Sequence, residues 1–139
     1  MVDESYSGFV QRHNMMIGIL ICALLTSILF IMIPIGFFFM ADIYLVIGGG
    51  FGLYFTFKYR KESQSHIKTG LIVGLIGSVL SLFLIGFFDW MIYSLEYGFD
   101  LILFLNYMLY VFVVNGLMYV LVGVILGYLF GYFYRNKEV

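Results

Sequence analysis

The chain has 139 residues, of which 63% are apolar and only 11% are charged, and its formal net charge is −1. A typical soluble domain is about half apolar and about a quarter charged, and a chain this short could not hide so much apolar surface in one core. The composition therefore excludes a water-soluble fold and predicts one membrane domain over residues 1–139. The near-zero net charge gives no reason to expect a nucleic-acid partner.

The first apolar stretch contains a single charge, Asp42, between Met15 and Phe57. A stretch of this length holds two helical spans and a tight turn, and Pro34 marks the end of the first span because proline interrupts a helix. The residues before this stretch lack the basic start of a secretory signal, so we expect the first span to be retained. The two expected spans cover about residues 15–34 and 42–57.

A hydrophilic loop over residues 58–68 separates this pair of spans from the rest of the chain. Four bases lie in the loop: Lys58, Arg60, Lys61 and Lys68. Bases beside a bilayer are attracted to anionic lipid headgroups, by about 1 kcal/mol each. We therefore predict that this loop contacts lipid headgroups, which makes membrane lipid the first partner expected of the chain.

The second half of the chain holds two more expected spans, about 69–88 and 117–134, with an apolar insert of about 90–116 between them. We predict that the insert is an interfacial or re-entrant helix that breaks or kinks near Asn115-Gly116. The alternative is one continuous helix over about 100–134. Such a helix would be roughly 50 Å long at 1.5 Å per residue and would extend well beyond a bilayer core.

Charge distinguishes the two ends of the expected spans. With four spans, one side of the membrane receives every lysine and arginine of the chain: Arg12, Lys58, Arg60, Lys61, Lys68, Arg135 and Lys137. The opposite side receives only acids: Asp42, Asp89, Glu96 and Asp100. Because basic segments are retained in the cytoplasm, we expect a multi-pass protein of the plasma membrane with cytoplasmic N- and C-termini.

The sequence also contains a weak internal repeat. Segments 44–60 and 119–135 align without a gap and share six identical residues in 17, and segment 17–27 resembles 69–79. The alignment predicts two helical hairpins of the same orientation, which is a parallel repeat. The predicted fold is therefore all-α, a polytopic four-transmembrane-helix bundle built from two parallel-repeat hairpins.

Glycines recur at every fourth position within the expected spans. This spacing places them on one face of a helix, where the lack of side chains lets two backbones approach closely. The glycines in these rows are Gly48, Gly52, Gly70, Gly74, Gly123, Gly127 and Gly131. We predict that they pack helices against each other within the bundle, and contact between copies in a homo-oligomer is the alternative.

Uncharged polar side chains also occur within the apolar stretches. They are Thr26, Ser27, Ser78, Ser81, Asn106 and Asn115. Hydroxyl and amide groups in lipid usually bond across helices or to a backbone carbonyl, so we expect contacts of this kind. The alternative is a polar pathway lined by Asn115 and the four hydroxyls.

No Asp, Glu, Lys, Arg or His lies well inside any expected span. Proton-coupled carriers need such a group near the middle of the membrane, and membrane haem needs axial ligands at that depth. The single cysteine, Cys22, forms neither an internal disulfide nor a metal site of several thiolates. We therefore expect no catalytic residue, no metal site and no cofactor.

Two functions fit these features. The first is a non-enzymatic subunit or self-associating scaffold that acts by helix–helix packing, as a homo-oligomer or in a larger membrane complex. The second is an oligomeric channel or facilitator for a small neutral or weakly polar solute.

Overall fold

The computed structural model describes residues 8–33 and 41–137, and these residues contain helices and no strand. A short helix, α1, covers residues 8–12. Four longer helices follow in chain order: α2 Asn14–Met32, α3 Ala41–Lys58, α4 His66–Tyr97 and α5 Leu101–Lys137. By length and composition, α2, α4 and α5 are long and apolar enough to cross a membrane, whereas α3 contributes a shorter apolar helix.

Local sequence signals set the turn between α4 and α5. Gly98 has a positive φ of 94°, and its N–H bonds to the carbonyl of Ser94, which ends α4. A glycine adopts this backbone conformation without a steric penalty. Asp100 then caps α5, because its carboxylate accepts hydrogen bonds from the N–H groups of Ile102 and Leu103 at 2.8 and 3.1 Å.

The four long helices form a bundle in which sequence neighbours pack most closely. Helix α4 packs along α5, and α2 packs along α3, while α2 also contacts α4 and α3 also contacts both α4 and α5. One apolar cluster includes Cys22, Leu82 and Tyr119, and a second includes Leu53 and Val73. Most of the remaining large apolar side chains point outward and are exposed, as expected of helices surrounded by lipid.

Aromatic and polar contacts align the helices at one end of the bundle. The rings of Phe57 and Tyr134 stack with their centroids 4.9 Å apart, and Phe57 also stacks on His66 at 6.4 Å. The side-chain amide of Asn14 bonds to the Thr56 carbonyl at 3.0 Å. We call this end the basic end, because it holds Arg12, Lys58, Arg60, Lys61, Lys68, Arg135 and Lys137.

At the opposite end, α4 and α5 continue beyond the other two helices. Cys22 of α2 lies 4.0 Å from Ser81 of α4, so that Met32, ten residues further along α2, reaches the level of about Met91. We call residues 89–107 the acidic-end extension, since Asp89, Glu96 and Asp100 lie in it and no base does. Between positions 91 and 106 all but two residues are exposed, because among the described residues the two helix ends contact mainly each other.

The predicted break near Asn115-Gly116 is wrong, because α5 is one continuous helix across these residues. A single glycine in a helix costs only about 1 kcal/mol relative to alanine, and α5 contains no proline. Packing against α4 offsets this cost, since Gly86 of α4 receives Met108 and Val111 of α5. The insert of about 90–116 is therefore divided between the end of α4 and the first half of α5, and it forms no separate element.

The predicted bounds of the loop and of the first turn can also be compared with the observed helices. The loop of 58–68 is shorter than expected, because α3 includes Lys58 and α4 begins at His66. The end of the first span near Pro34 lies outside the described residues. Asp42, expected in or beside a turn, falls in the first turn of α3.

Candidate functional site

The glycines of α4 and α5 bring the two backbones into direct contact. A methyl group on Gly70 would overlap the carbonyl oxygen of Gly127, and one on Gly74 would overlap that of Gly123. A methyl group on Gly131 would lie 2.8 Å from the carbonyl oxygen of His66. These five glycines thus pack α4 against α5 within one chain, and their surfaces are not open to another copy.

The glycines of α3 pack on α2, where side chains as well as backbone form the contact. A methyl group on Gly52 would overlap the carbonyl oxygen of Gly18, and one on Gly48 would lie 2.8 Å from the carbonyl oxygen of Cys22. Two threonine hydroxyls fill the same interface, since Thr56 lies against Gly18 and Thr26 lies against Gly48. All seven glycines singled out in the sequence therefore lie at helix contacts inside the chain.

The hydroxyl groups of the bundle bond to backbone carbonyls. Ser27 donates to Ala23 at 2.5 Å, and Ser81 donates to Gly77 at 2.7 Å. Ser78 donates to Leu75 at 2.8 Å. Thr26 donates across the interface to the Tyr44 carbonyl at 3.4 Å. These hydroxyls are satisfied within the protein and are not directed into a pathway.

A narrow crevice lies at the junction of the four helices. The crevice there, lined by Leu45, Leu53 and Val73 among others, has a cavity volume of about 0 Å³. A buried water needs at least about 10–15 Å³ and polar partners. The interior of a single chain is therefore closed to a polar solute at this point.

The two asparagines of α5 lie in different surroundings and do not meet the hydroxyls. Asn115 is half-buried, whereas Asn106 is exposed in the acidic-end extension. Asn106 lines a groove there together with Tyr107 and Tyr110. The structure thus separates the six polar residues that the sequence singled out into a closed interior and an open groove.

Sequence reasoning missed an amide pair at the basic end. Asn14 is fully buried, and its amide group donates to the side-chain oxygen of Gln64 at 3.1 Å, while Gln64 donates back at 3.3 Å. Gln64 also accepts from the backbone N–H of Lys61 at 3.3 Å. The pair ties the loop to the start of α2. The polar residue at the very start of an apolar stretch was the available signal.

Within the basic loop, the side chain of Arg60 bonds to backbone carbonyls of the loop itself. The Arg60 guanidinium donates to the carbonyls of Lys61 and Gln64 at 3.0 and 2.5 Å, which folds the loop into a tight turn. Lys58 and Lys68 are exposed, and the Lys58 ammonium lies 5.6 Å from the Tyr59 ring centroid. Lys58 and Lys68 are therefore the bases of this loop best placed to meet a lipid headgroup.

A groove of about 600 Å³ runs along the acidic-end extension, between the end of α4 and the start of α5. Its charged and aromatic lining consists of Asp89, Glu96, Trp90, Tyr93, Tyr107 and Tyr110. The hydroxyl of Tyr107 donates to the Asp89 carboxylate at 2.5 Å. The indole N–H of Trp90 donates to the Asp100 carbonyl at 3.2 Å, which anchors the ring on the turn.

Aromatic packing supports the wall of this groove. The Trp90 ring lies 4.8 Å from Phe104 and 5.1 Å from Phe99, measured between centroids. Tilted and edge-to-face contacts of this kind stabilise an arrangement beyond simple area burial. The end of α4 and the start of α5 are thus fixed to each other even though α2 and α3, as far as the structure describes them, do not cover them.

Groups of three or more metal-ligating side chains do not occur among the residues that the structure describes. The chain matches no protein-family model, no curated protein and no solved structure. The geometry of the chain is therefore the sole basis for the functions considered below.

Proposed function

We propose that the chain is a non-enzymatic, multi-pass membrane protein that serves as a subunit of a membrane complex or as a self-associating scaffold. The acidic-end extension is the observation that carries this proposal. It presents large apolar side chains that no other described helix covers, including Ile102, which is 72% exposed, and Leu105, which is 60% exposed.

Helix lengths support a position of this apolar surface near or beyond the edge of a bilayer. Helices α4 and α5 have 32 and 37 residues, which correspond to about 48 and 55 Å, whereas the hydrocarbon core is about 30 Å thick. Helix α2, with 19 residues, is about 28 Å long and matches the core. Contiguous apolar surface beyond the core favours a protein partner, because water contact is unfavourable there.

The proposed arrangement in the membrane has four spans, with α3 as the shortest. The basic end faces the cytoplasm, together with both termini, and the acidic end faces outward across the plasma membrane. The bases at the basic end support this orientation, because positively charged segments are retained in the cytoplasm. Tyr93 and Tyr97 in the extension suit the headgroup layer, where a flat ring with a polar tip is favoured.

We further propose that α2–α3 and α4–α5 are the two copies of a parallel repeat. Aligned positions make similar contacts, which supports this origin. Gly18 meets Gly52 and Thr56, while Gly70, the aligned position, meets Gly127 and Gly131. In each pair of helices, glycines of the second helix therefore contact the first helix at aligned sequence positions.

Site-specific photo-crosslinking in native membranes tests the subunit proposal. The crosslinker benzoyl-phenylalanine replaces Leu105 in the extension or, as the matched control, Phe51 on α3, since both side chains are 60% exposed. We expect protein adducts from position 105 and adducts with lipid alone from position 51. A second copy in the adduct identifies a scaffold, and another protein identifies a complex. Lipid adducts alone at both positions would contradict the proposal.

The channel or facilitator has less support. The hydroxyls that motivated it bond to carbonyls of their own chain, and the crevice between the helices has no space for a water molecule. A pathway for a solute would have to lie between copies, where none of these hydroxyls is exposed.

A further inference from the structure

We propose that the groove of the acidic-end extension binds an organic ammonium group, such as the headgroup of an amino lipid or a free alkylammonium ion. The volume of about 600 Å³ lies within the range of about 300–1,000 Å³ that small-molecule sites occupy. Since the groove is open rather than enclosed, a ligand enters it without any movement of the helices. This site does not depend on whether the extension also contacts a protein.

Charge in the groove selects for a cation. The two carboxylates, Asp89 and Glu96, lie one above the other on α4, seven residues or about two turns apart. Glu96 has no hydrogen bond or ion pair with any residue that the structure describes. Every described lysine and arginine lies at the opposite end of the bundle, so neither carboxylate is neutralised within the chain.

Aromatic residues in the groove favour an organic cation over a metal ion. Trp90, Tyr93, Tyr107 and Tyr110 are four of the residues that line it. An ammonium group with attached methyl or methylene groups gains from cation–π attraction and from apolar contact, which a hydrated metal ion does not. Two carboxylates alone also provide too few ligands for a closed metal site.

The position of Asp89 adds a fixed acceptor at the bottom of the groove. The Tyr107 hydroxyl bonds to one of its oxygens, which holds the carboxylate in place and leaves the second oxygen for an ammonium N–H or for contact with a methylated nitrogen. Ile92 and Leu103 provide an apolar lining for the alkyl part of the ligand. The groove thus combines a charged base with apolar walls, as an amphiphilic amine requires.

Trp90 makes the proposal directly measurable, because it is the single tryptophan of the chain. The full chain is placed in nanodiscs of phosphatidylglycerol, which has no amine, and is titrated with butyltrimethylammonium chloride while tryptophan emission is recorded. We expect a saturable change in emission that sodium chloride at equal ionic strength does not produce.

Three matched substitutions separate the groove from the general negative charge of the extension. Glu96→Gln and Asp89→Asn each remove one charge from the groove, and we expect the apparent affinity to fall about tenfold for each. Asp100→Asn removes a charge outside the groove and retains the helix cap, so we expect a change of less than about twofold. Circular dichroism confirms equal helix content among the variants.

The results distinguish the possible sources of the ammonium group. If the natural ligand is a lipid, phosphatidylethanolamine in the nanodisc shifts the emission of the wild-type chain and weakens butyltrimethylammonium binding, but it does neither in Glu96→Gln. If the ligand is a free amine, phosphatidylethanolamine has no effect on binding. A non-saturable signal, or equal loss of affinity in Asp100→Asn and Glu96→Gln, would overturn the proposal.

Discussion

The two helical hairpins reach close packing by different means. Between α4 and α5 the contact is backbone on backbone, with Gly70 and Gly74 lying against Gly127 and Gly123. Between α2 and α3 two threonines enter the interface. Thr56 donates a hydrogen bond to the Gly52 carbonyl at 2.8 Å and to the Asn14 carbonyl at 3.5 Å.

This difference indicates which contacts can yield to a larger side chain. A threonine hydroxyl belongs to a side chain that can be changed, whereas a backbone carbonyl remains whatever residue is present. At Gly70 and Gly127 the α4–α5 contact therefore offers no side chain that a substitution could shorten. It is also the contact that continues into the acidic-end extension, where α4 and α5 have no other neighbour among the described helices.

The largest effect is expected at the backbone contact. In Gly127→Ala the added methyl group would overlap the Gly70 carbonyl, so the helices must separate. We expect the free energy of unfolding to fall by about 2–3 kcal/mol. Unfolding in mixed micelles of nonionic detergent and sodium dodecyl sulfate, followed by circular dichroism, measures this loss.

Gly50→Ala is the matched control for this substitution. A methyl group on Gly50 would meet its nearest neighbour, the ring of Phe130, at 4.0 Å, which is ordinary contact. We expect a stability within about 1 kcal/mol of wild type, with any change favourable because alanine is the better helix former. Equal destabilisation by both variants would mean that the α4–α5 backbones are not in contact.

A smaller effect on stability is expected at the α2–α3 interface, which the side chain of Thr56 enters. In Gly18→Ala the added methyl group would overlap the Thr56 hydroxyl and would lie 2.7 Å from the Gly52 carbonyl oxygen. We expect Thr56→Gly to relieve the first of these conflicts, so that the two substitutions show a favourable coupling energy of about 1 kcal/mol.

The same double-mutant cycle needs a pair that should not couple. Gly74→Ala meets Gly123 and Gly127 rather than Thr56, so its combination with Thr56→Gly should be additive within about 0.5 kcal/mol. Additivity in the Gly18 cycle would show that the side chain of Thr56 does not limit the α2–α3 distance.

A loss of stability smaller than that of Gly127→Ala is expected at the basic end, where an amide pair secures α2 and α3 to the loop that follows α3. Asn14→Leu keeps the volume but removes the hydrogen bonds to the Thr56 carbonyl and to Gln64. We expect a loss of about 1–2 kcal/mol and faster tryptic cleavage at Lys61. Gln11→Leu, at an exposed position, serves as control and should leave the cleavage rate unchanged.

Part of this arrangement was predictable from the sequence because it depends on local pattern. Apolar length predicted α2 and the beginning of α4 to within a few residues, and glycine spacing identified the residues that lie at helix contacts. The Asn14–Gln64 pair was not predictable, because its partners are 50 positions apart and neither belongs to a motif.

The continuity of α5 shows why local pattern was insufficient elsewhere. Asn115 and Gly116 both weaken a helix, and bilayer thickness also favoured a break at this point. Neither helix propensity nor bilayer thickness takes account of packing against the neighbouring helix α4. The contact of Gly86 with Met108 and the bond between Tyr107 and Asp89 hold α4 and α5 together on the far side of the expected break.

The sequence by itself determined the helical, membrane-compatible character of the chain and the separation of its bases from Asp89, Glu96 and Asp100, because both follow from composition and order along the chain. Tertiary structure alone decided which helix each glycine meets, where the hydroxyls find acceptors and how far α4 and α5 extend together. It also created the groove. The groove exists because the end of α4 and the start of α5 lie side by side, so that Asp89, Glu96 and four aromatic residues line one space.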